Sequence, residues 1–402
     1  MEESALGLVL IPLLAVLAPL LGRAIGPIMR VPVVVFELLL GILVGPAVFG
    51  WVHPNEFIGM FSEFGLAMLF FLAGSEIDFA TIGRRPLARA SLGWALSIVL
   101  GLGVGFLLVP GEGMIVIAIA LSSTALGTLM PILRDAGELT TPFGRAVTVI
   151  GTVGEFLPLI AISIFLGVRS ASVATVVLLL FVVLALLAVF AARRIPHGRL
   201  HAFVSATLHT SAQFGVRFLL LLIAALVALS LWLDLDILLG AFVAGTVWRI
   251  VISSADEEDA AQVDSKIEGI AFGFLVPIFF IYTGVTFDLD ALLESPLATA
   301  LVPVLLLAML IIRGTAAQFS ASDGMGKRDR SALAFLAATG LPIIVAVAAI
   351  GVDRDLIGSH IAAALIGAGM LSVLLYPLIG ITLRGDRAAV QARAGSESQG
   401  EL

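Results

Sequence analysis

No cysteine occurs in the chain, which excludes disulfide bridges, thiolate metal centres and cysteine nucleophiles. Charge is scarce too: 13% of the 402 residues are Asp, Glu, Lys or Arg, against about a quarter in soluble domains. No phosphate-cradling glycine loop, nucleophile elbow or Cys/His cluster is present, so nucleotide hydrolysis, serine-type acyl transfer and zinc chemistry have no carrier. Long polar stretches are missing as well. The sizeable polar pieces are a loop around 193–211, an acidic loop at 252–266 and the tail after Arg384, which leaves no room for a soluble nucleotide-binding domain or a nucleic-acid-binding module. The formal charge of −7 says little, because the distribution of charge among loops carries more information than the total.

What remains is apolar. Hydrophobic residues make up 60% of the chain, and the mean hydropathy is +1.14. Apolar runs of about 20 residues recur throughout, each long enough to cross a bilayer as a helix. They are continuous rather than alternating, which excludes a β-barrel. Thirteen spans are expected, at 5–22, 31–50, 58–80, 90–110, 113–133, 145–168, 172–192, 212–232, 236–251, 267–287, 297–320, 331–351 and 357–382. The start, Met1-Glu-Glu-Ser, is acidic, whereas a cleaved leader needs a basic start. The first run is therefore expected to persist as a helix.

Cationic residues test this layout through the positive-inside rule. With 13 spans, 18 of the 22 Lys and Arg residues fall on one side. They are Arg23, Arg30, Arg84, Arg85, Arg89, Arg134, Arg145, Arg193, Arg194, Arg199, Arg249, Lys266, Lys327, Arg328, Arg330, Arg384, Arg387 and Arg393. Arg169 and Arg354 fall on the other side, and Arg217 and Arg313 inside apolar runs. The expected location is the cell inner (plasma) membrane, with the N-terminus outside and the C-terminus in the cytoplasm.

The chain also echoes itself. Glu37-Leu-Leu-Leu-Gly41-Ile-Leu-Val-Gly-Pro in span 2 resembles Asp236-Ile-Leu-Leu-Gly240-Ala-Phe-Val-Ala-Gly in span 9. Phe70-Phe-Leu-Ala-Gly74-Ser-Glu-Ile-Asp-Phe in span 3 resembles Phe279-Phe-Ile-Tyr-Thr-Gly284-Val-Thr-Phe-Asp in span 10. Ser123-Thr-Ala-Leu-Gly127 in span 5 is matched by Ala338-Thr-Gly-Leu-Pro342 in span 12. Each pair is seven spans apart, and an odd offset gives the copies opposite orientations. The expected organisation is a first inverted repeat at 1–168, a linker helix and cytoplasmic loop at 169–211, a second repeat at 212–383 and a disordered tail at 384–402. Inverted repeats characterise alternating-access transporters. Chance likeness of Gly-rich apolar helices is the competing explanation, and the constant offset weighs against it.

Spans 5 and 12 carry helix-interrupting residues: Ser122-Ser-Thr, then Gly127 and Pro131 in the first, Thr339, Gly340 and Pro342 in the second. One such helix would be read as a kink. A matched pair in two inverted halves points to broken helices around a transport site, with partial charges at the exposed half-helix ends.

Ionisable residues at bilayer depth each cost at least ~2.5 kcal/mol and need a reason. Glu155 in span 6 lies ten residues from Arg145 at that span's cytoplasmic end, and Arg313 in span 11 lies at a similar depth. Glu155 can hold a proton or a cation but not both well, and that competition suffices to couple two fluxes. The bland alternative makes it a structural partner of Arg313. Arg313 does not usefully deprotonate, so it suits neutralising a carboxylate or the negative end of a broken helix. Glu37, Glu63, Glu76 and Arg217 lie towards span ends, where long charged side chains snorkel; Glu37 and Glu76 are weaker site candidates. The five histidines form no metal-ligand spacing, so no transition-metal site is expected; His197 and His201 could sense cytoplasmic pH. Gly101-Leu-Gly-Val-Gly reads as close helix packing.

Across about 31–382 the chain resembles the cation:proton antiporter-2 family of bacterial sodium/proton and potassium/proton exchangers. The resemblance rests on Val31-Pro-Val-Val-Val-Phe-Glu-Leu-Leu-Leu-Gly-Ile-Leu-Val-Gly-Pro46, Gly65-Leu-Ala-Met-Leu-Phe-Phe-Leu-Ala-Gly-Ser-Glu-Ile-Asp78 and Leu121-Ser-Ser-Thr-Ala125. Gly144-Arg145 ahead of Glu155 and Pro277-Ile-Phe-Phe-Ile-Tyr-Thr-Gly284 complete it. It implies an all-α sodium/proton-antiporter-like fold with crossed broken helices, a homodimer and an elevator-like motion. It also implies transported H⁺ and Na⁺ or K⁺, and no cofactor. The family usually carries Asn-Asp, Gln-Asp or Asp-Asp where this chain has Gly154-Glu155. A single carboxylate implies electroneutral exchange, and Arg313 resembles the arginine of electroneutral members. Ser123 and Thr124 remain as candidate oxygen ligands. A cation-coupled carrier of a small organic anion, with Arg313 facing the substrate, and a non-transporting membrane sensor or scaffold stay open as alternatives.

Overall fold

The computed structural model describes residues 2–26, 31–77, 83–139, 141–167, 169–194, 213–252, 257–321 and 324–385, and every regular element among them is helical. In chain order these are α1 (Glu2–Ile25), α2 (Val33–Val44), α3 (Glu56–Ser75), α4 (Arg84–Leu108), α5 (Gly113–Ser122), α6 (Leu126–Asp135), α7 (Pro142–Phe165), α8 (Ala171–Arg194) and α9 (Phe214–Trp232). There follow α10 (Ile237–Ile252), α11 (Glu257–Ile270), α12 (Val276–Val285), α13 (Leu289–Leu293), α14 (Pro296–Ala317), α15 (Lys327–Ala337), α16 (Pro342–Asp353) and α17 (Ser359–Arg384).

Ten spans among the described residues are long and apolar enough to cross a membrane. Val33–Val44, Ala171–Leu187 and Ile237–Ile252 are shorter apolar helices at three further expected positions. A total of 13 therefore depends on these three crossing as well. The expected pH-sensing residues His197 and His201, the loop 195–212 and the tail 386–402 lie outside the described residues.

The chain divides into two compact units, each drawing on both sequence halves. The first comprises Met1–Ala24, Phe36–Thr81 and Leu159–Phe287. Its helices meet through glycine. A Cβ on Gly41 would strike the carbonyl of Ile281, and one on Gly284 the carbonyl of Leu38, so α2 and α12 touch backbone to backbone. Gly74 meets the Phe242 carbonyl and Gly245 the Phe71 carbonyl, joining α3 to α10 in the same way. Such contact maximises dispersion where lipid supplies no hydrophobic drive. An apolar cluster of Ile11, Leu14, Val44, Val52, Ile58, Ile278, Ile281 and Val285 fills the space between α1, α2, α3 and α12.

The expected acidic loop at 252–266 is helical from Glu257 onwards. Buried Val263, Ile267 and Ala271 fall four residues apart and form one apolar stripe. Mean hydropathy alone hid this amphipathic segment. A π-helical turn, Ala271–Leu275, carries α11 into α12.

The second unit comprises Ile25–Val35, Ile82–Pro158 and Asp288–Leu402. The buried residues of α4 are Ala90, Gly93, Ser97, Gly101 and Gly105, a small-residue stripe of period about four. A Cβ on Gly101 would lie 2.9 Å from Ala118 Cα, one on Gly105 2.8 Å from Met114 Cα and one on Gly93 2.5 Å from the Ala316 carbonyl oxygen, so α4 lies directly on α5 and α14.

Two helices of this unit are interrupted. Between α5 and α6 the chain turns extended at Ser123 (φ −80°, ψ 157°) and re-enters a helix after Ala125. Between α15 and α16 it leaves the helix at Ala338 and resumes at Pro342, the first residue of α16. Proline suits that position, because its missing donor would have had no partner there. Thr339, Gly340 and Pro342 thus stand at an interruption, as expected. Gly127 and Pro131 do not: both lie inside α6. The chain departs from the helix where the amides of Thr124 and Ala125 find acceptors elsewhere, not where proline removes one donor.

Candidate functional site

Ser123, Thr124, Glu155, Arg313, Thr339, Gly340 and Pro342 all belong to the second unit. Glu37 and Glu76 belong to the first. Glu37 is buried in α2, 6% exposed, rather than snorkelling, and Glu76 caps the C-terminus of α3.

The two interruptions cross. The Ala125 amide donates to the Thr339 carbonyl at 2.8 Å. The Thr124 amide donates to the Gly154 carbonyl at 2.8 Å. The Gly340 amide donates to Ser372 Oγ at 3.1 Å, and that hydroxyl lies 2.9 Å from the Gly340 carbonyl and 2.7 Å from that of Gly369. Breaking a helix in an apolar setting would leave several amides and carbonyls without partners, at a cost of several kcal/mol each. Here the second break, α7 and α17 supply the partners.

Glu155 follows Gly154 on α7 and is 1% exposed. One turn earlier on the same helix, Thr152 is 2% exposed, and its Oγ1 has no hydrogen-bond partner among the described residues. Ser123 Oγ donates to the Ala120 carbonyl at 2.8 Å, so its lone pairs remain available. A Cβ built on Gly340 would lie 3.2 Å from that oxygen, which places the two interruptions within touching distance.

Arg313 crosses the unit from α14 and is buried, 2% exposed. Its Nε and Nη2 donate to Thr124 Oγ1 at 3.0 and 2.6 Å. Nη1 reaches Ser97 Oγ at 3.4 Å and Nη2 the Ile150 carbonyl at 3.5 Å. Thr124 Oγ1 in turn donates to the Ala337 carbonyl at 2.6 Å. One cation therefore links α4, the α5–α6 interruption and α7, and through Thr124 it also reaches the end of α15. Ser97, Thr152 and Ser372 were not singled out from the sequence. Ser97 carried a usable signal, as the only polar member of the Gly93-Gly101-Gly105 stripe. Thr152 and Ser372 are single hydroxyls in apolar runs and carried none.

The model of the family described as "Sodium/hydrogen exchanger, transmembrane" matches residues 13–383. The chain belongs to the sodium/hydrogen exchanger family. Members of this family are secondary transporters, not enzymes, and need no cofactor. This exchanger family member is 25% identical over 383 residues to the Na(+)/H(+) antiporter of Enterococcus hirae, covering 91% of this chain and 95% of the relative. It is 26% identical over 399 residues to the putative Na(+)/H(+) antiporter YjbQ of Bacillus subtilis, covering 94% of this chain and 62% of that longer relative. The solved structure of the sodium proton antiporter MjNhaP1 from Methanocaldococcus jannaschii at pH 8 superposes with a TM-score of 0.64 at 14% identity, covering 96% of this chain and 98% of that one. The chain thus has the fold of that antiporter, and its multi-pass membrane character follows from the family and the ten long apolar helices.

Proposed function

We propose that the protein exchanges protons for Na⁺ or K⁺ by alternating access, one for one, with proton and cation competing for Glu155. One observation carries the reading. The amide of Thr124, at the α5–α6 interruption, is bonded to the carbonyl of Gly154, the residue before buried Glu155. A buried carboxylate is thereby tied to the point where two broken helices meet. Glu155 and Ser123 supply anionic and neutral oxygen, the hard ligands that alkali cations take. Names of relatives in both Enterococcus and Bacillus include Na(+)/H(+) antiport, which supports the same class of reaction.

The proposed organisation is two inverted halves, 1–168 and 212–383, joined by 169–211. Packing supports it: α2 lies on α12 and α3 on α10. The sequence echoes pair α2 with α10 and α3 with α12, so exchanging each helix for its counterpart converts one contact into the other. The proposed setting is the cell inner membrane as a homodimer, N-terminus outside and C-terminus cytoplasmic, with the 18-to-2 division of cationic residues as support. The organic-anion reading is not favoured, because the Arg313 donors are directed at Thr124, Ser97 and Ile150.

The test is reconstitution in liposomes carrying a pH-sensitive dye, with an imposed pH gradient and Na⁺, K⁺ or Li⁺ added in turn. Cation-dependent dissipation that is insensitive to membrane potential and lost in Glu155→Gln is the expected result. No response to any of the three cations would overturn the proposal.

A further inference from the structure

We propose that Gly154 is a positioning residue: the side chain it lacks leaves the volume through which the Arg313 guanidinium reaches Thr124, fixing a permanent positive charge at the crossing of the broken helices. The effect on transport rests on Glu155 being the exchanging carboxylate; the geometry does not.

The space is specific. A Cβ built on Gly154 would lie 2.5 Å from Arg313 Nη2, 2.7 Å from Thr124 Oγ1 and 2.8 Å from Thr124 Cβ. Real Cβ atoms do not approach other atoms so closely, so something would have to move. The α7 backbone is held at this point, because the Gly154 carbonyl accepts the Thr124 amide. The Thr124 side chain is held as well, through its bond to the Ala337 carbonyl. The movable group is the guanidinium at the end of its long arm. Any side chain at position 154 therefore displaces Arg313 from Thr124.

The hydrogen-bond inventory gives the consequence. A threonine hydroxyl has one proton and two lone pairs. At Thr124 the proton goes to Ala337 and the lone pairs face Nε and Nη2 of Arg313. Thr124 thus has no oxygen electron pair left for a cation, which removes it from the candidate ligands and leaves Ser123. Where a polar side chain at position 154 would add an uncharged ligand beside the acid, this chain places a guanidinium instead. Gly154, Thr124 and Arg313 then form one unit that sets the charge around Glu155. A glycine kept only for helix packing would show no dependence on Arg313.

The test is a double-mutant cycle of wild type, Gly154→Ala, Arg313→Met and the double variant. The thermal unfolding midpoint in detergent and the cation-dependent proton flux in liposomes are both read. Gly154→Ala is expected to lower the midpoint in both backgrounds, because its Cβ also meets Thr124, but to lower it further and reduce flux by about tenfold where Arg313 is present, against about threefold in the Arg313→Met background. Equal losses in both backgrounds would overturn the proposal. If no variant, wild type included, transports any cation, the exchange reading fails, and the midpoints still decide the positioning role by the same comparison. Should Arg313→Met fail to fold, Arg313→Lys, which has no second terminal nitrogen, replaces it under the same criterion.

Discussion

Removing single members of the Arg384 cluster should destabilise the protein in a fixed order. Arg384, in the last turn of α17, grips Glu138 through Nη2 at 2.6 and 2.7 Å and through Nε at 2.9 Å. Its Nη1 lies 3.1 Å from Asp329, in the first turn of α15, and its guanidinium covers the Phe143 ring at 4.4 Å. Thr141 Oγ1 adds a 2.6 Å bond to Glu138. The Arg384, Glu138 and Asp329 side chains are 11%, 7% and 14% exposed, so solvent screens them little. Arg384→Ala leaves buried Glu138 without this guanidinium and takes one contact from half-buried Asp329, at about 3–5 kcal/mol. Glu138→Ala removes a two-pronged ionic grip but leaves Arg384 with Asp329 and Phe143, at about 2–3 kcal/mol. Asp329→Ala takes from Arg384 its longer, more exposed ionic contact, at about 1 kcal/mol. Equilibrium unfolding in mixed micelles measures all three. Because the groups are buried, the costs should persist in about 0.5 M salt, where exposed ion pairs fade. Two results would refute the reasoning: Asp329→Ala costing more than Glu138→Ala, or additive effects in an Arg384→Ala/Glu138→Ala double variant, which the direct contact forbids.

Three further outcomes follow from local geometry. Glu155→Gln should abolish cation-dependent proton flux in liposomes while leaving the unfolding midpoint near wild type, whereas Glu155→Asp should retain partial flux; flux retained in Glu155→Gln would remove the acid from the mechanism. On α4, Gly101→Ala should cost about 1–3 kcal/mol, since its new Cβ would lie 2.9 Å from Ala118 Cα. Gly103→Ala, two residues on, meets nothing within 4 Å and should stabilise by about 0.5–1 kcal/mol on helix propensity, a contrast that unfolding measurements read directly. Asn55→Ala removes the 2.9 Å cap on the Ile58 amide and should cost about 1 kcal/mol, with faster hydrogen exchange confined to the first turn of α3; Asn55→Asp should retain the cap.

Hydropathy located the apolar segments because lipid exposure demands it of every spanning helix, and the paired interruptions at spans 5 and 12 were visible because glycine, proline and hydroxyl residues clustered there. Which of Ser122-Ser-Thr, Gly127 and Pro131 marks the first break was not visible. Pro131 attracts attention in a sequence, yet the chain opens at Ser123–Ala125 because Gly154 and Thr339 offer carbonyls there. Those acceptors are 30 and 214 residues away from the amides they take. The helix 257–270 was missed for a different reason: its signal is the period of Val263, Ile267 and Ala271, not its average hydropathy. Arg313 could be recognised as buried from its place in an apolar run. Its partners could not, because Ser97, Thr124 and Ile150 converge on it from three elements distant in sequence.

The wide turn at Ala271–Leu275 holds one residue more than an ordinary helical turn would need. It lies immediately before the α12 backbone that carries Ile281 and Gly284 into contact with α2. Losing one residue within it would tighten the coil to regular pitch and leave both the α12 contacts and the direction of the apolar stripe on 257–270 essentially in place. The turn is thus a register adjuster, able to absorb a one-residue change in chain length without disturbing the glycine contacts beyond it.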